Sequence, residues 1–276
     1  MGTQKTRGFT IIETMLFLAI SGLLVVTMLA GVGITIQVQR YRDSVESFKT
    51  LLQDQYSELA SVKNDERTTG WSCDATGATV EGSGAIKPRG QSKCVMLGRY
   101  MKVVGPKATI YTVVGYPSAT QSTVGNDIAK LRANYTLNIS TVVKEESLLE
   151  WGATIQWAQK GPVKDVGAQD SVRSIGLLFI RSPDSGQIYT FTSNSVPGTP
   201  SPTSLKAMLV AAAAVPGQAE RTLCVESGGA VSGGAFSIYI YPYANGPTSI
   251  ESRSNDFMAT QPDPKTGDKP KCYVTL

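Results

Sequence analysis

Two hydrophobic patterns follow one another at the start of the chain. From Thr14 to Gln39 there is no charged side chain. From Tyr41 onward, Tyr41, Val45, Phe48, Leu52, Tyr56, Leu59 and Val62 recur at steps of three and four, with Asp43, Glu46, Lys49, Asp54 and Glu58 between them. The first stretch is apolar all round and the second is one-sided, the spacing of an amphipathic helix. Nothing between Gln37 and Val62 breaks the pattern, so the two predict one helix from about Phe9 to Lys63, roughly 80 Å long at 1.5 Å per residue. The apolar half is longer than the roughly 20 residues that cross a hydrocarbon layer of about 30 Å. It needs lipid or neighbouring helices on every side, whereas the second half needs only a body to cover one face. Glu13 interrupts the head of the apolar block. A carboxylate in hydrocarbon costs roughly 2.5–3.5 kcal/mol unless it is paired, so Glu13 either stays hydrated at an interface or has a cationic partner.

Beyond the helix the texture changes. Thr69 to Gly90 is glycine-rich with few apolar residues and reads as a loop. Cys94 to Val104, Ala108 to Tyr116, Ser174 to Arg181, Gln187 to Ser193, Arg221 to Glu226, Ala235 to Tyr243 and Lys271 to Thr275 are rich in β-branched and aromatic residues and predict strands. Ser182 to Gly186, Ser-Pro-Asp-Ser-Gly, is the turn of a hairpin joining the third and fourth of these. Short helices are expected at Asp127 to Asn134, Glu145 to Trp151 and Ser204 to Val215. The fold class that results is α+β: a long N-terminal α-helix, hydrophobic in its first half and amphipathic in its second, packed on a mostly antiparallel β-sheet globular domain.

Composition narrows the chemistry. The chain has 276 residues, is 41% hydrophobic and contains no histidine. That absence removes Ser-His-Asp and Cys-His catalysis and histidine metal sites together, and no enzyme activity, catalytic residue, metal or cofactor is expected. The net charge of +4 is small and scattered, so nucleic acid is not expected as a main ligand. Tyr239, Tyr241 and Tyr243 alternate along one predicted strand, placing three rings on one face; core or inter-subunit packing is the ordinary use of such a face, and gripping a glycan or another protein is the functional one. Asn134-Tyr-Thr136 and Asn138-Ile-Ser140 match the N-glycosylation acceptor pattern.

Lys5 and Arg7 followed by Gly8, Phe9, Thr10, Ile11, Ile12, Glu13 and the apolar run with Gly22 closely resemble the class III signal of type IV pilins and pseudopilins. The resemblance covers roughly residues 5 to 40. It implies cleavage by a prepilin peptidase between Gly8 and Phe9, N-methylation of Phe9, and an assembly role for Glu13, whose carboxylate would pair with the N-terminal amine of a neighbouring subunit. That pairing would offset desolvation and fix the axial stagger of subunits. Where many major pilins carry a proline, this chain has Ala30, Gly31 and Gly33, and two glycines cost about 1 kcal/mol each in helix propensity.

Lys5 and Arg7 favour a cytoplasmic leader, and with the cytoplasmic peptidase that the resemblance implies, the body faces outward. In an exported body four cysteines fit disulfide bonding. Of three connectivities the sequential one, Cys73 with Cys94 and Cys224 with Cys272, is the most economical. Zinc is disfavoured because there is no histidine and no Cys-x-x-Cys spacing. Asp263 and Asp268 lie in a C-terminal Pro-Gly loop that is either solvated or, by loose analogy with major pseudopilins, a calcium loop. The domain plan is a leader at 1–8, a transmembrane and assembly helix at 9–40, its amphipathic continuation at 41–63 and a β-rich extracytoplasmic domain at 64–276. The expected partners are other pilin subunits, the prepilin peptidase and the inner membrane before assembly. The expected location is the cell membrane for the precursor and then an extracellular filament. The alternatives are a membrane-anchored extracellular binding or adhesion domain that does not polymerise, and a pseudopilin of a secretion or DNA-uptake machine.

Overall fold

A computed structural model describes residues 10–60, 71–73, 79–81, 95–156, 173–193, 199–209, 222–226, 236–241, 244–254 and 272, with 71–73, 79–81 and 141–143 described by their backbone alone. Helix α1 runs unbroken over Ile11–Ala60, through Gly31 and Gly33. Its length is about 75 Å. The single long helix expected from the two patterns is present. So is the α+β arrangement of a helix packed on antiparallel sheets, every strand pair among the described residues being antiparallel.

The larger sheet has five strands: β3 (Val95–Val104), β4 (Lys107–Pro117), β5 (Tyr135–Leu148), β7 (Ser174–Arg181) and β8 (Ile188–Ser193), in the order β5-β4-β3-β7-β8. The smaller has four: β6 (Thr154–Gln156), β9 (Thr222–Glu226), β10 (Phe236–Ile240) and β11 (Ile250–Ser254), in the order β11-β10-β9-β6. A separate two-stranded ladder joins β1 (Trp71–Cys73) to β2 (Thr79–Glu81), which corrects the reading of Thr69 to Gly90 as loop throughout. Helix α2 spans Asp127–Asn134, as expected, and α3 spans Pro202–Met208.

The expected helix at Glu145 to Trp151 is absent. Glu145 to Leu148 end strand β5, and only a single 3-10 turn, Glu150–Gly152, follows. Glu145 and Glu146 sit in an edge strand, where charged side chains are tolerated because solvent is close and an unpaired rim is protected from further pairing. Each finds a cation: Glu145 pairs with Arg99, and Glu146 lies 2.8 Å from Lys107. The expected strand at Lys271 to Thr275 lies outside the described residues, apart from Cys272.

Two cores organise the body. The buried stripe of α1, Tyr41, Val45, Phe48, Leu52, Tyr56 and Leu59, meets Met101, Val103, Leu177 and Phe179 of the larger sheet and Leu223, Val225, Ile238 and Ile250 of the smaller. The opposite face of the larger sheet forms a second core, in which Leu97, Leu137, Leu178 and Ile180 are covered by Leu131 of α2 and Leu205 of α3. A sheet buried on both faces explains why β7 reads Ser-Ile-Gly-Leu-Leu-Phe-Ile-Arg, nearly continuous in apolar residues. Gly176 within it is required by close approach: a Cβ there would lie 2.5 Å from the Tyr100 hydroxyl.

The β7–β8 hairpin turn is the one expected. Gly186 donates its N–H to Ser182 O and adopts φ +72°, a conformation glycine takes without strain. Asp127, in the first turn of α2, accepts from Ser182 Oγ, Ser185 Oγ and Tyr189 Oη, tying this turn to the helix. Partial burial would raise the Asp127 pKa, but the three hydrogen bonds outweigh it and hold the carboxyl below its usual value.

Candidate functional site

The apolar half of α1 stands clear of the body. Its most apolar stretch has no buried residue; Ile12, Phe17 and Met28 are each more than two-thirds exposed. The helix is therefore long and apolar enough to cross a membrane. Its hydroxyls are already satisfied by its own backbone. Thr14 Oγ1 donates to Ile11 O at 2.8 Å, Ser21 Oγ to Leu18 O at 3.1 Å, Thr27 Oγ1 to Leu24 O at 2.9 Å and Thr35 Oγ1 to Gly31 O at 3.0 Å. Such back-bonding removes the cost of carrying a hydroxyl into a medium without water. At Gly22, Gly31 and Gly33 the space a Cβ would occupy is open, leaving flat places where a second helix can approach.

Glu13 is the exception. It lies in the first turn of α1, its backbone N–H donating to Thr10 Oγ1 at 3.3 Å. That position complements the helix dipole, but its carboxylate has no hydrogen-bond or ion-pair partner among the described residues. Gly8 and Phe9, the expected processing pair, lie outside the described residues.

The second half of α1 is bolted to the body by polar contacts as well as by its apolar stripe. Tyr41 Oη donates to Val225 O at 2.6 Å and accepts from Phe236 N–H at 2.9 Å, bridging opposite residues at the end of the β9–β10 ladder. Ser44 Oγ donates to Glu150 O at 3.1 Å, Gln53 Nε2 to Pro247 O at 2.9 Å, and Tyr56 Oη shares a hydrogen bond of 2.6 Å with Thr190 Oγ1. Arg99, buried on β3, donates from Nη1 to Gln55 Oε1 at 3.4 Å and pairs through Nη2 with Glu145. Sequence periodicity reveals the apolar stripe but not these partners, each distant in sequence from the residue it holds.

Cys224 and Cys272 are joined by a disulfide with Cα atoms 5.4 Å apart, fastening the C-terminal region to β9. Cys73 is described only by its backbone in β1, and Cys94 lies outside the described residues, as do Asp263, Asp268 and Tyr243. Tyr239 and Tyr241 do share a face. It is the outer face of the smaller sheet, since Ile238 and Ile240 point into the core. Their rings meet edge to face at 5.2 Å, and the Arg253 guanidinium lies 3.7 Å from the Tyr239 centroid and bonds Glu251. Asn134 is 5% exposed, and its amide is committed to Ser122 through Oδ1 and Nδ2, so that acceptor match is a structural asparagine. Asn138 Oδ1 accepts from Ile139 N–H within β5.

One feature escaped the sequence reading. Trp151, in the turn after β5, is 56% exposed, adopts φ +56°, and lies under Arg40, whose guanidinium is 4.7 Å from the ring centroid. A left-handed conformation at a bulky residue and a cation over an indole face leave no periodic trace.

Comparison of the chain with protein-family models, with curated proteins and with solved structures finds no match.

Proposed function

We propose that the chain is a structural subunit of a type IV pilus-like filament, a minor or specialised pilin processed at Gly8 and assembled through its N-terminal helix. The observation that carries this reading is one unbroken helix with two fates. Its first half is an exposed apolar rod whose one carboxylate, Glu13 at its head, has no partner among the described residues, and its second half is the centre of a folded body. A rod of that kind needs lipid first and neighbouring rods afterwards. In lipid there is no water-driven association, so helix packing rests on shape, small residues and the pairing of polar groups. Gly22, Gly31 and Gly33 supply the first two and Glu13 the third. Cleavage after Gly8 would create the cationic amine on Phe9 that Glu13 needs in an adjacent copy.

Intact mass and N-terminal peptide analysis of membrane and sheared-surface fractions test this reading. A methylated Phe9 N-terminus in sheared fibres is the expected result; a retained Met1, or a start beyond Ala30, would overturn it. Glu13→Ala is expected to insert and be cleaved normally yet be missing from filaments. Normal incorporation would refute the pairing role.

A second reading is favoured by the Tyr239 and Tyr241 rings on the outer face of the smaller sheet: an anchored extracellular binding domain that does not polymerise. That protein would keep Met1 to Gly8 and be absent from sheared fibres.

A further inference from the structure

We infer that the membrane-proximal end of the body is an interfacial foot, seated through Trp151, Leu148 and Val104 on the headgroup layer of the bilayer that α1 crosses. The inference rests on the membrane-spanning reading of the apolar half of α1. Three connections fix which end of the body this is. The β3–β4 turn and the turn after β5 lie together, since Lys107 pairs with both Val104 and Leu148 and Leu149 N–H donates to Pro106 O at 2.7 Å. Ser44 Oγ, bonded to Glu150 O, holds this pair of turns against the first helical turn of the body half. The far end of the same sheet meets the other end of the helix, where Arg181 Nη1 donates to Leu59 O.

At that near end the body exposes apolar side chains that it buries next door. Leu148 is 71% exposed, Trp151 56% and Val104 41%, whereas Leu149 and Ala153 are 6% and 1%. Trp151 also holds a backbone conformation that costs on the order of 1–3 kcal/mol for a bulky residue, with its ring against Arg40 rather than in the core.

The helix supplies a ruler. The charge-free run from Thr14 to Gln39 is about 39 Å long, against a hydrocarbon layer of about 30 Å and a bilayer of about 40–45 Å including headgroups. Arg40 therefore falls in the headgroup layer, and Trp151, stacked on it, falls at the same height. Tryptophan concentrates at that depth, with its ring among the upper acyl chains and its N–H in the polar layer, and arginine beside it reaches phosphate. Charge alone does not draw the foot down: Glu146 is shared by Lys107 and Lys144, and Glu150 is exposed beside Trp151. The contact is therefore one of indole and aliphatic groups with the interface, with Arg40 at the phosphate level, and does not require anionic lipid.

The test uses the full chain in phosphatidylcholine nanodiscs, comparing the protein with its Trp151→Phe variant so that the difference in emission isolates this indole. The expected result is a blue-shifted difference spectrum, quenched about twofold by lipids brominated near the acyl carbonyls and less by lipids brominated near the terminal methyls. Retention in the discs with no quenching by either lipid would overturn the foot while leaving the membrane reading intact. A blue shift without quenching would assign Trp151 to a protein contact and also overturn the foot. Failure of the chain to remain in the discs would sink the membrane reading and the foot with it. Broadening of the Trp151 indole N–H resonance by headgroup spin-labelled lipid gives the same answer without a substitution.

Discussion

The Tyr41 hydroxyl does two jobs that phenylalanine cannot. It donates to Val225 O at 2.6 Å and accepts from Phe236 N–H at 2.9 Å, and the side chain is 2% exposed. Tyr41→Phe would keep the ring, and with it the edge-to-face contact with Phe236 at 5.6 Å, so no cavity opens and the loss is confined to two hydrogen bonds. Each buried group left unpaired costs about 1–3 kcal/mol. Allowing for partial closure of the ladder end, the expected destabilisation is roughly 2–4 kcal/mol. Tyr56→Phe is the matched control, because its hydroxyl's partner among the described residues, the Thr190 hydroxyl, is a rotor that can turn elsewhere; the expected loss there is about 1 kcal/mol. Urea unfolding of the full chain in mild detergent, followed by circular dichroism, measures both. Hydrogen exchange at the Phe236 amide should quicken in Tyr41→Phe alone. Equal losses in the two variants, or an unchanged Phe236 amide, would refute the idea that α1 pins the smaller sheet through this hydroxyl.

Other expectations come from the same packing. Tyr100 is fully buried, and its hydroxyl, lying over Gly176, has no hydrogen-bond partner among the described residues, so Tyr100→Phe should be neutral or stabilising by up to about 1 kcal/mol in the urea assay. Burial pushes the pKa values of Tyr56 and Tyr100 up to about 12. A folded-state value above the unfolded 10 means stability that is whole below pH 10 and is lost as pH rises toward 12; melting temperature measured from pH 8 to 11.5 should fall only above pH 10, and a flat profile would count against those burials. Asp127 has the opposite sign: its stabilisation is present above pH 3.8 and is lost as pH falls below that. Because the group is mostly solvated, Asp127→Asn should cost only about 1 kcal/mol or less, measurable as a lower melting temperature at pH 7 that converges with the parent protein at pH 2.

What the sequence made legible was whatever burial wrote periodically. The stripe from Tyr41 to Leu59 appears in the core at the expected steps, β7 has the expected bounds of Ser174 and Arg181, and α2 those of Asp127 and Asn134. The misses are edge strands. β5 alternates Tyr135, Leu137 and Ile139 with polar residues in its first half but carries Lys144, Glu145 and Glu146 in its second, and β11 reads Ile-Glu-Ser-Arg-Ser; those charged segments do not resemble a half-buried strand, because one rim faces solvent and charges there prevent further pairing. The Glu-Glu-Ser-Leu-Leu run looked helical by propensity, but pairing with β4 and the cations Arg99 and Lys107 overrode it. For the candidate site, Glu13 and the rod were legible as a local motif. The bolts at Tyr41, Ser44 and Tyr56 were not, since each depends on a partner more than a hundred residues away in sequence.

Continuity of α1 from its exposed rod into the core has a mechanical meaning. No loop lies between the part that would be gripped and the part that is folded, so tension applied along the rod enters the body along the helix axis. It meets Tyr41, Val45, Phe48, Leu52, Tyr56 and Leu59 as a row lying parallel to the load. Contacts arranged that way yield together, in shear, rather than unzipping one after another, and the two sheets on either side share the strain. A body mounted in this way would transmit pulling force at full stiffness.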